Sequence, residues 1–278
     1  MAIWPLSFTI MLKQNAVTDF FDEAANKRPF LPNPATLGGW GKYHKYQRAV
    51  QLLSRPGLRQ ALDLGCNIGH VAYLYQKSQA KPQFLFLAGL DLSQPSLQRA
   101  KGQQFSFADF ALASGCQLPF GDETFDLVVC IEVLEHVTEQ GRLLEEVYRV
   151  LRPGATLYLT MPNPHCWPSL WSHHLHRLSR WLGGRPEADK DHFLNRQQLV
   201  QLLQQAGFQQ FDPANLYSLP RPFMTWRGWV LFPPLPPRLG LAYQQFWLRW
   251  LGPAGQNLPV WLRDRLCHSL SLEIQKNA

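Results

Sequence analysis

From residue 60 onward, short apolar runs alternate with stretches whose apolar residues recur every three or four positions, a pattern of strands and amphipathic helices in turn. QALDL (60–64) predicts a first strand and residues 69–78 its helix. FLFLAGLD (84–91) predicts a second strand, and SQPSLQRAK (93–101) opens the next helix with a Ser cap and an early Pro. DFALA (109–113) reads as the third strand. FDLVVCI (125–131) is the fourth, an unbroken apolar run expected of a strand covered on both faces. Residues 139–151 set Leu143, Leu144, Val147, Val150 and Leu151 on one helical side; RPG (152–154) stops that helix before a fifth strand, ATLYLTM (155–161). A helix over 195–206 ends at Gly207. FQQF (208–211) then reads as a sixth strand, and SLSLEIQ (269–275), alternating on Leu270, Leu272 and Ile274, as a seventh.

This order predicts an α/β fold with a seven-stranded, mainly parallel sheet and helices on both faces. Residues 1–59 are expected to form an N-terminal helical cap, and 60–212 with 268–278 the core. Residues 213–267 form a long helical or irregular insertion before the last strand. No internal repeat is visible. The 278 residues and 46% apolar content suit one large domain with such an insertion. Five cysteines with no CxxC pair argue against a disulfide framework or zinc cluster and for a reducing cytosol. MAIWPLSFTIML is too short to span a bilayer and lacks the basic start and cleavage site of a signal peptide. The expected location is therefore cytoplasmic, with a peripheral membrane association suggested by charge. Residues 1–150 hold 14 basic and 14 acidic side chains, whereas residues 151–278 hold 13 and 6, so the net +7 belongs to the second half. Such a bias suits an anionic membrane surface, an acidic substrate or a nucleic acid.

Candidate chemistry begins at ALDLGCNIGH (61–70), a strand running into a glycine loop and a helix. A dinucleotide fingerprint needs a middle glycine for close approach of the pyrophosphate; Asn67 stands there instead. Asn tolerates positive φ, so the loop keeps its turn and better suits a nucleoside-type ligand without phosphates. Asp91, at the end of the second strand, could accept hydrogen bonds from both ribose hydroxyls, or could simply serve a helix start.

ALDLGCNIGH, LAGLDLSQPSLQRAK, GCQLPFGDETFDLVVCIEVLEHV and EVYRVLRPGATLYLTMPNP resemble, in order and spacing, the successive motifs of class I S-adenosylmethionine-dependent methyltransferases, with the quinone- and small-molecule-methylating branch closest in flavour. The resemblance covers roughly residues 40–215 and implies a Rossmann-like core with S-adenosyl-L-methionine as cofactor. It also implies that Gly65, Cys66, Asn67 and Gly69 form the loop around the methionine part, with Asp63 orienting that loop and the amino group. Asp91 would hold the ribose, Leu92 would pack on the adenine, and Ile131 with Glu132 would line the floor. Ser114, beside Gly115, stands where the family often has an acidic residue facing the adenine amino group.

Methyl transfer from a sulfonium needs alignment and exclusion of water, and a base only where the acceptor must lose a proton. His136 is the candidate base; it could equally close the start of the next helix. Glu132, Glu135 and His136 resemble a divalent-metal patch of some quinone O-methyltransferases, against which stands a plain capping cluster, and no metal is expected. His173, His174 and His176 lack carboxylate or thiolate partners at regular spacing and read as a basic helix. Cys66 and Cys116 read as small packing residues.

The segments 162–194 and 213–267 must both leave from the carboxyl edge of the sheet, over the cofactor. They hold eight of the ten tryptophans, which points to a lipophilic acceptor, quinone-, lipid- or polyketide-like, methylated at O, C or N. Leu239, Tyr243, Phe246, Trp247 and Trp250 make one helical face flanked by arginines, fit for a membrane interface or for an ordinary lid. A nucleic-acid amino-methyltransferase would show Asp/Asn-Pro-Pro-Tyr after the fourth strand; the chain has CIEVLE, so no nucleic-acid partner is expected. A non-catalytic binding module on the same fold is the remaining alternative.

Overall fold

The first glycine loop leaves a central strand of the main sheet, with parallel strands on either side. The computed structural model describes residues 37–78, 86–163, 192–209 and 269–277, together with 22, 32, 211, 225–226, 229–231, 234–235, 239 and 242. β1 (Gln60–Leu64) pairs in parallel with β2 (Phe86–Asp91) on one side and β4 (Phe125–Ile131) on the other. β3 (Ala108–Leu112) extends the sheet beyond β2, and β5 (Leu151–Pro162) beyond β4. Among the described residues three short strands, β6 (Thr225–Trp226), β7 (Trp229–Leu231) and β8 (Pro234–Leu235), form a separate antiparallel sheet. The last strand, β9 (Ser269–Gln275), runs antiparallel along β5 and completes the order β3-β2-β1-β4-β5-β9.

Both faces of the large sheet are covered, which is why β1, β2 and β4 are buried at nearly every position. On one face α1 (Leu37–Leu53), α2 (His70–Lys77) and α3 (Gln94–Lys101) bury Leu52, Val71 and Leu97 against Leu87 and Val129. On the other, α4 (Gln140–Val150) and α5 (Arg196–Gln205) bury Leu143, Val147 and Leu199 against Leu62, Val128 and Leu157. The sequence pattern located α2, α3, α4 and α5 within a residue or two, whereas for α1 it gave only a helical cap somewhere in residues 1–59. Ser93 caps α3 by accepting the N–H of Ser96, as the Ser–Gln–Pro start implied. Asn195 and Gln198 form a reciprocal capping box at the start of α5.

Among the described residues the large sheet has six strands, where the sequence pattern called for seven. Residues 208, 209 and 211 lie outside any strand, so the expected strand over FQQF is not formed among the described residues. Its apolar residue does a different job. Phe208 donates its N–H to Leu203 O and Gly207 donates to Gln204 O, the paired bonds of a Schellman stop after α5. Phe208 is fully buried and meets Tyr148 edge-on, with ring centroids 5.0 Å apart. The RPG turn also differs slightly from expectation: β5 begins directly at Leu151, and Gly154 at its bend donates to Lys276 O at 2.9 Å. The histidine cluster at 173–176 and most of the insertion's proposed helical face lie outside the described residues.

Gly207 has φ 110°, and a Cβ there would sit 2.9 Å from the Tyr148 ring. Gly207→Ala should therefore lower stability by about 1–3 kcal/mol, the scale of a side chain forced into that backbone region. A denaturant titration checks it; an unchanged midpoint would show that Tyr148 swings aside at no cost.

Candidate functional site

In this sheet the strand order reverses between β1 and β4, and a parallel sheet opens a crevice at such a point, outside the strands' carboxyl ends. A cleft of about 360 Å³ lies there, within the range of small-molecule sites. It is lined from the ends of β1, β2 and β4, from the loop after β3, and from the start of α4.

The loop after β1 is built around left-handed backbone. Gly65 has φ 71°, and a Cβ on it would lie 2.3 Å from Val133 Cγ2, so the residue must be glycine on both counts. Asn67 has φ 51°; its Oδ1 accepts the N–H of Ile68 at 2.9 Å, a local bond that holds the turn in place of the middle glycine. The loop is tied to the neighbouring strand by Asp91, whose Oδ2 accepts the Asn67 N–H at 2.8 Å and whose Oδ1 accepts the Ser93 N–H at 2.9 Å. Asp91 thus organises the rim, while Ser93 does the helix capping.

Of the residues singled out from sequence, Gly65, Asn67, Asp91, Leu92, Ser114, Gly115, Ile131, Glu132 and His136 all line this one cleft. Asp63, Cys66 and Gly69 lie behind it. Gly69 caps α2 in the left-handed region. The Cys66 thiol is buried under Gly89, and burial pushes its pKa well up, which fits a packing residue. Asp63 is buried, and its Oδ2 has no hydrogen-bond partner. Burial, with the Asp91 charge adding to it, pushes the Asp63 carboxyl up to about 7.

After β4 the chain turns at Glu132, which has φ 54°. Its N–H donates to Thr160 O at 2.9 Å, and its carboxylate pairs with Lys45 of α1. His136 closes a short 3-10 turn, Leu134–His136, with its Nε2 3.9 Å from Glu135 Oε1. Among the described residues no group of three or more His, Cys, Asp or Glu side chains is arranged to hold a metal ion; Glu132 is directed to Lys45 instead. The lining is acid-rich all the same: Asp91, Glu132, Glu135 and Glu139 face it, with Lys42 as the basic residue.

Two residues of α1, Lys42 and Tyr46, also line the cleft and were not foreseen. The apolar spacing of Tyr46, Ala49, Val50 and Leu53 marks an amphipathic helix. Nothing in that spacing says which sheet edge the helix covers.

Comparison with known proteins agrees with this geometry. Residues 40–210 match the family model described as a methyltransferase domain. The chain is 31% identical over 149 residues to a ubiquinone/menaquinone biosynthesis C-methyltransferase of Desulfotalea psychrophila, across 52% of this chain and 57% of that one. The match therefore spans little more than half of that relative's length. A demethylmenaquinone methyltransferase of Lactiplantibacillus plantarum is 30% identical over 212 residues, across 69% of this chain and 87% of its own. A solved phosphoethanolamine N-methyltransferase 2 of Haemonchus contortus shares the fold at a TM-score of 0.58 and 15% identity, over 96% of this chain and 61% of that one. With the family model matched over more than half of its length and its motifs gathered around one cleft, the chain belongs to the class I S-adenosylmethionine-dependent methyltransferases.

Proposed function

We propose that the chain moves a methyl group from S-adenosylmethionine to a lipophilic small molecule, and that the described cleft holds the methyl donor. The observation that carries this reading is the acid-rich cleft at the strand-order reversal of a chain whose net charge is +7. A ligand bearing an ammonium and a sulfonium complements it. The residues present fit such a ligand. Each oxygen of Asp91 accepts a backbone N–H at the rim, and a carboxylate oxygen can accept more than one hydrogen bond, as a ribose hydroxyl would require. The unpartnered Oδ2 of Asp63 supplies a buried acceptor beside the loop for an amino group. Leu92, Ser114 and Gly115 would form the adenine wall, Gly65, Asn67 and Gly69 the backbone cradle, and Ile131 with Glu132 the floor. When bound, the cofactor supplies an activated methyl and a neutral leaving group, so this chain's part is alignment and exclusion of water.

His136 lines the same cleft with Glu135 beside it and would take the proton from a hydroxyl acceptor. The lipophilic character of the acceptor is supported by the two relatives named for menaquinone methylation and by the eight tryptophans of the segments 162–194 and 213–267. The reading extends to a membrane surface through the charge of residues 221–278, seven basic against two acidic. No helix among the described residues is long and apolar enough to cross a membrane.

Lipid extract incubated with the protein and methyl-labelled cofactor should yield a labelled, lipid-soluble product, with His136→Gln slowing its formation about 100- to 10,000-fold, the usual worth of a general base. Label transfer at the wild-type rate in that variant would remove His136 from the chemistry, and no transfer to any lipid would overturn the acceptor class.

Asp63 predicts a pH dependence. Its folded value, about 7, lies above the ordinary carboxyl value, so its contribution to stability is full at low pH and is lost as pH rises through about 7. A cationic ligand beside it favours the ionised form and reverses that penalty. Affinity for S-adenosylhomocysteine should therefore fall as pH drops below 7, by up to about tenfold per unit, and Asp63→Asn should flatten the profile. A flat wild-type profile between pH 5 and pH 8 would sever Asp63 from the amino-group site.

Membrane contact is checked by flotation with anionic vesicles: binding should weaken with salt, at about 1 kcal/mol per engaged basic residue, and Trp247→Ala with Trp250→Ala should reduce it. A wild-type protein that ignores the vesicles at low salt would confine the reading to a soluble acceptor.

A further inference from the structure

We propose that Lys45 is a positioning residue for the cofactor cleft: its ammonium, shared between Glu132 and Ser269, clamps α1 over the cleft and holds the left-handed turn that forms the cleft floor. The assignment rests on the reading that this cleft takes S-adenosylmethionine.

Lys45 belongs to the inward face of α1, in register with Ala49 and Leu52, and only 9% of it is exposed. A buried ammonium needs both charge and hydrogen-bond partners. It finds Glu132 at the end of β4 and Ser269 at the start of β9, segments 87 and 224 positions away. One side chain thus joins three elements that sequence keeps far apart.

Two consequences follow for the cleft. Lys42 and Tyr46, next to Lys45 on α1, line the cleft, so the seat of α1 decides where they stand. Tyr46 is also stacked on His70, the first residue of α2 after the glycine loop, with ring centroids 5.0 Å apart. The second consequence is at Glu132. A non-glycine residue at φ 54° is strained and persists only where its surroundings over-determine it. Here its N–H is held by Thr160 O and its carboxylate by Lys45. That turn delivers Val133 to its contact with Gly65, so loosening it reaches the cofactor loop.

A purely structural clamp could be apolar, because replacing buried ion pairs by packed hydrophobic groups is often neutral for stability. What an ion pair fixes is direction. Affinity and stability should therefore separate. Calorimetry with S-adenosylhomocysteine should show Lys45→Met weaker by about tenfold or more and Ser269→Ala by roughly two- to fivefold, as truncating one partner of a buried charge pair predicts. Arg48→Gln removes the exposed pair between α1 and Glu273, together with a bond to Gln51 within α1, and should bind as the wild type does. Hydrogen exchange on the ligand-free proteins gives a second readout: amides of residues 65–69 and 132–136 should exchange faster in Lys45→Met and Ser269→Ala, and unchanged in Arg48→Gln. Wild-type affinity and exchange in both Lys45→Met and Ser269→Ala would overturn the proposal, whatever their unfolding midpoints; if Lys45→Met does not fold, Ser269→Ala decides alone. A wild-type protein that fails to bind S-adenosylhomocysteine would instead overturn the cofactor reading, with the exchange rates still judging the clamp.

Discussion

Gly65 touches Val133 so closely that no side chain could stand between them. That contact joins the loop leaving β1 to the turn leaving β4, the two strands between which the sheet changes direction of growth. Because the two exits must share one space, the chain there takes backbone shapes that ordinary residues avoid. Gly65, Asn67, Gly69 and Glu132 all have φ between 51° and 83°. Asp91 fixes the third side by holding the Asn67 and Ser93 N–H groups with its two oxygens. The cleft is the volume left over by this arrangement.

The polar groups divide into those that secure the walls and those left facing the ligand. Arg149 donates to Leu118 O and Phe120 O and pairs with Glu146 and Asp122, while Glu146 accepts the Leu118 N–H at 2.7 Å. The Arg149 side-chain bond holds the Glu146 carboxyl below its usual range. This network fastens the loop after β3 to α4, where Gly115 packs against Leu143. By contrast, Asp63 keeps an unmet acceptor and a raised value behind the loop that follows β1. A buried carboxyl without compensation costs stability, and such costs concentrate where a ligand is to supply the missing partner.

What could be read from sequence was whatever leaves a periodic or local trace. The buried strands and the helix over 140–150 follow from apolar spacing alone, and the Ser93 cap from its own three residues. The cleft residues Gly65, Asn67 and Asp91 were legible because glycine, asparagine and a strand-terminal aspartate each have a narrow set of uses. FQQF misled because two apolar residues in a stretch of four fit a strand and a helix stop equally well; the decision lay with Tyr148, sixty positions away. Lys45 was not legible at all. A lysine on the apolar face of a helix looks like a boundary residue until the folded chain brings Glu132 and Ser269 to it.

The two non-glycine members of the left-handed set show how such a site keeps its shape. Left-handed backbone outside glycine costs on the order of 1–3 kcal/mol per residue. Asn67 offsets part of this locally, through its Oδ1 and the Asp91 carboxylate. Glu132 is held by Thr160 and by a helix from the other end of the chain. The loop after β1 therefore takes its polar ties from residues 65–91, whereas the turn at Glu132 takes its own from α1 and β5. The order of dependence runs from the shared contact at Gly65 outward, and the most remote element, α1, is the one whose position the cleft leaves least fixed by its own sequence.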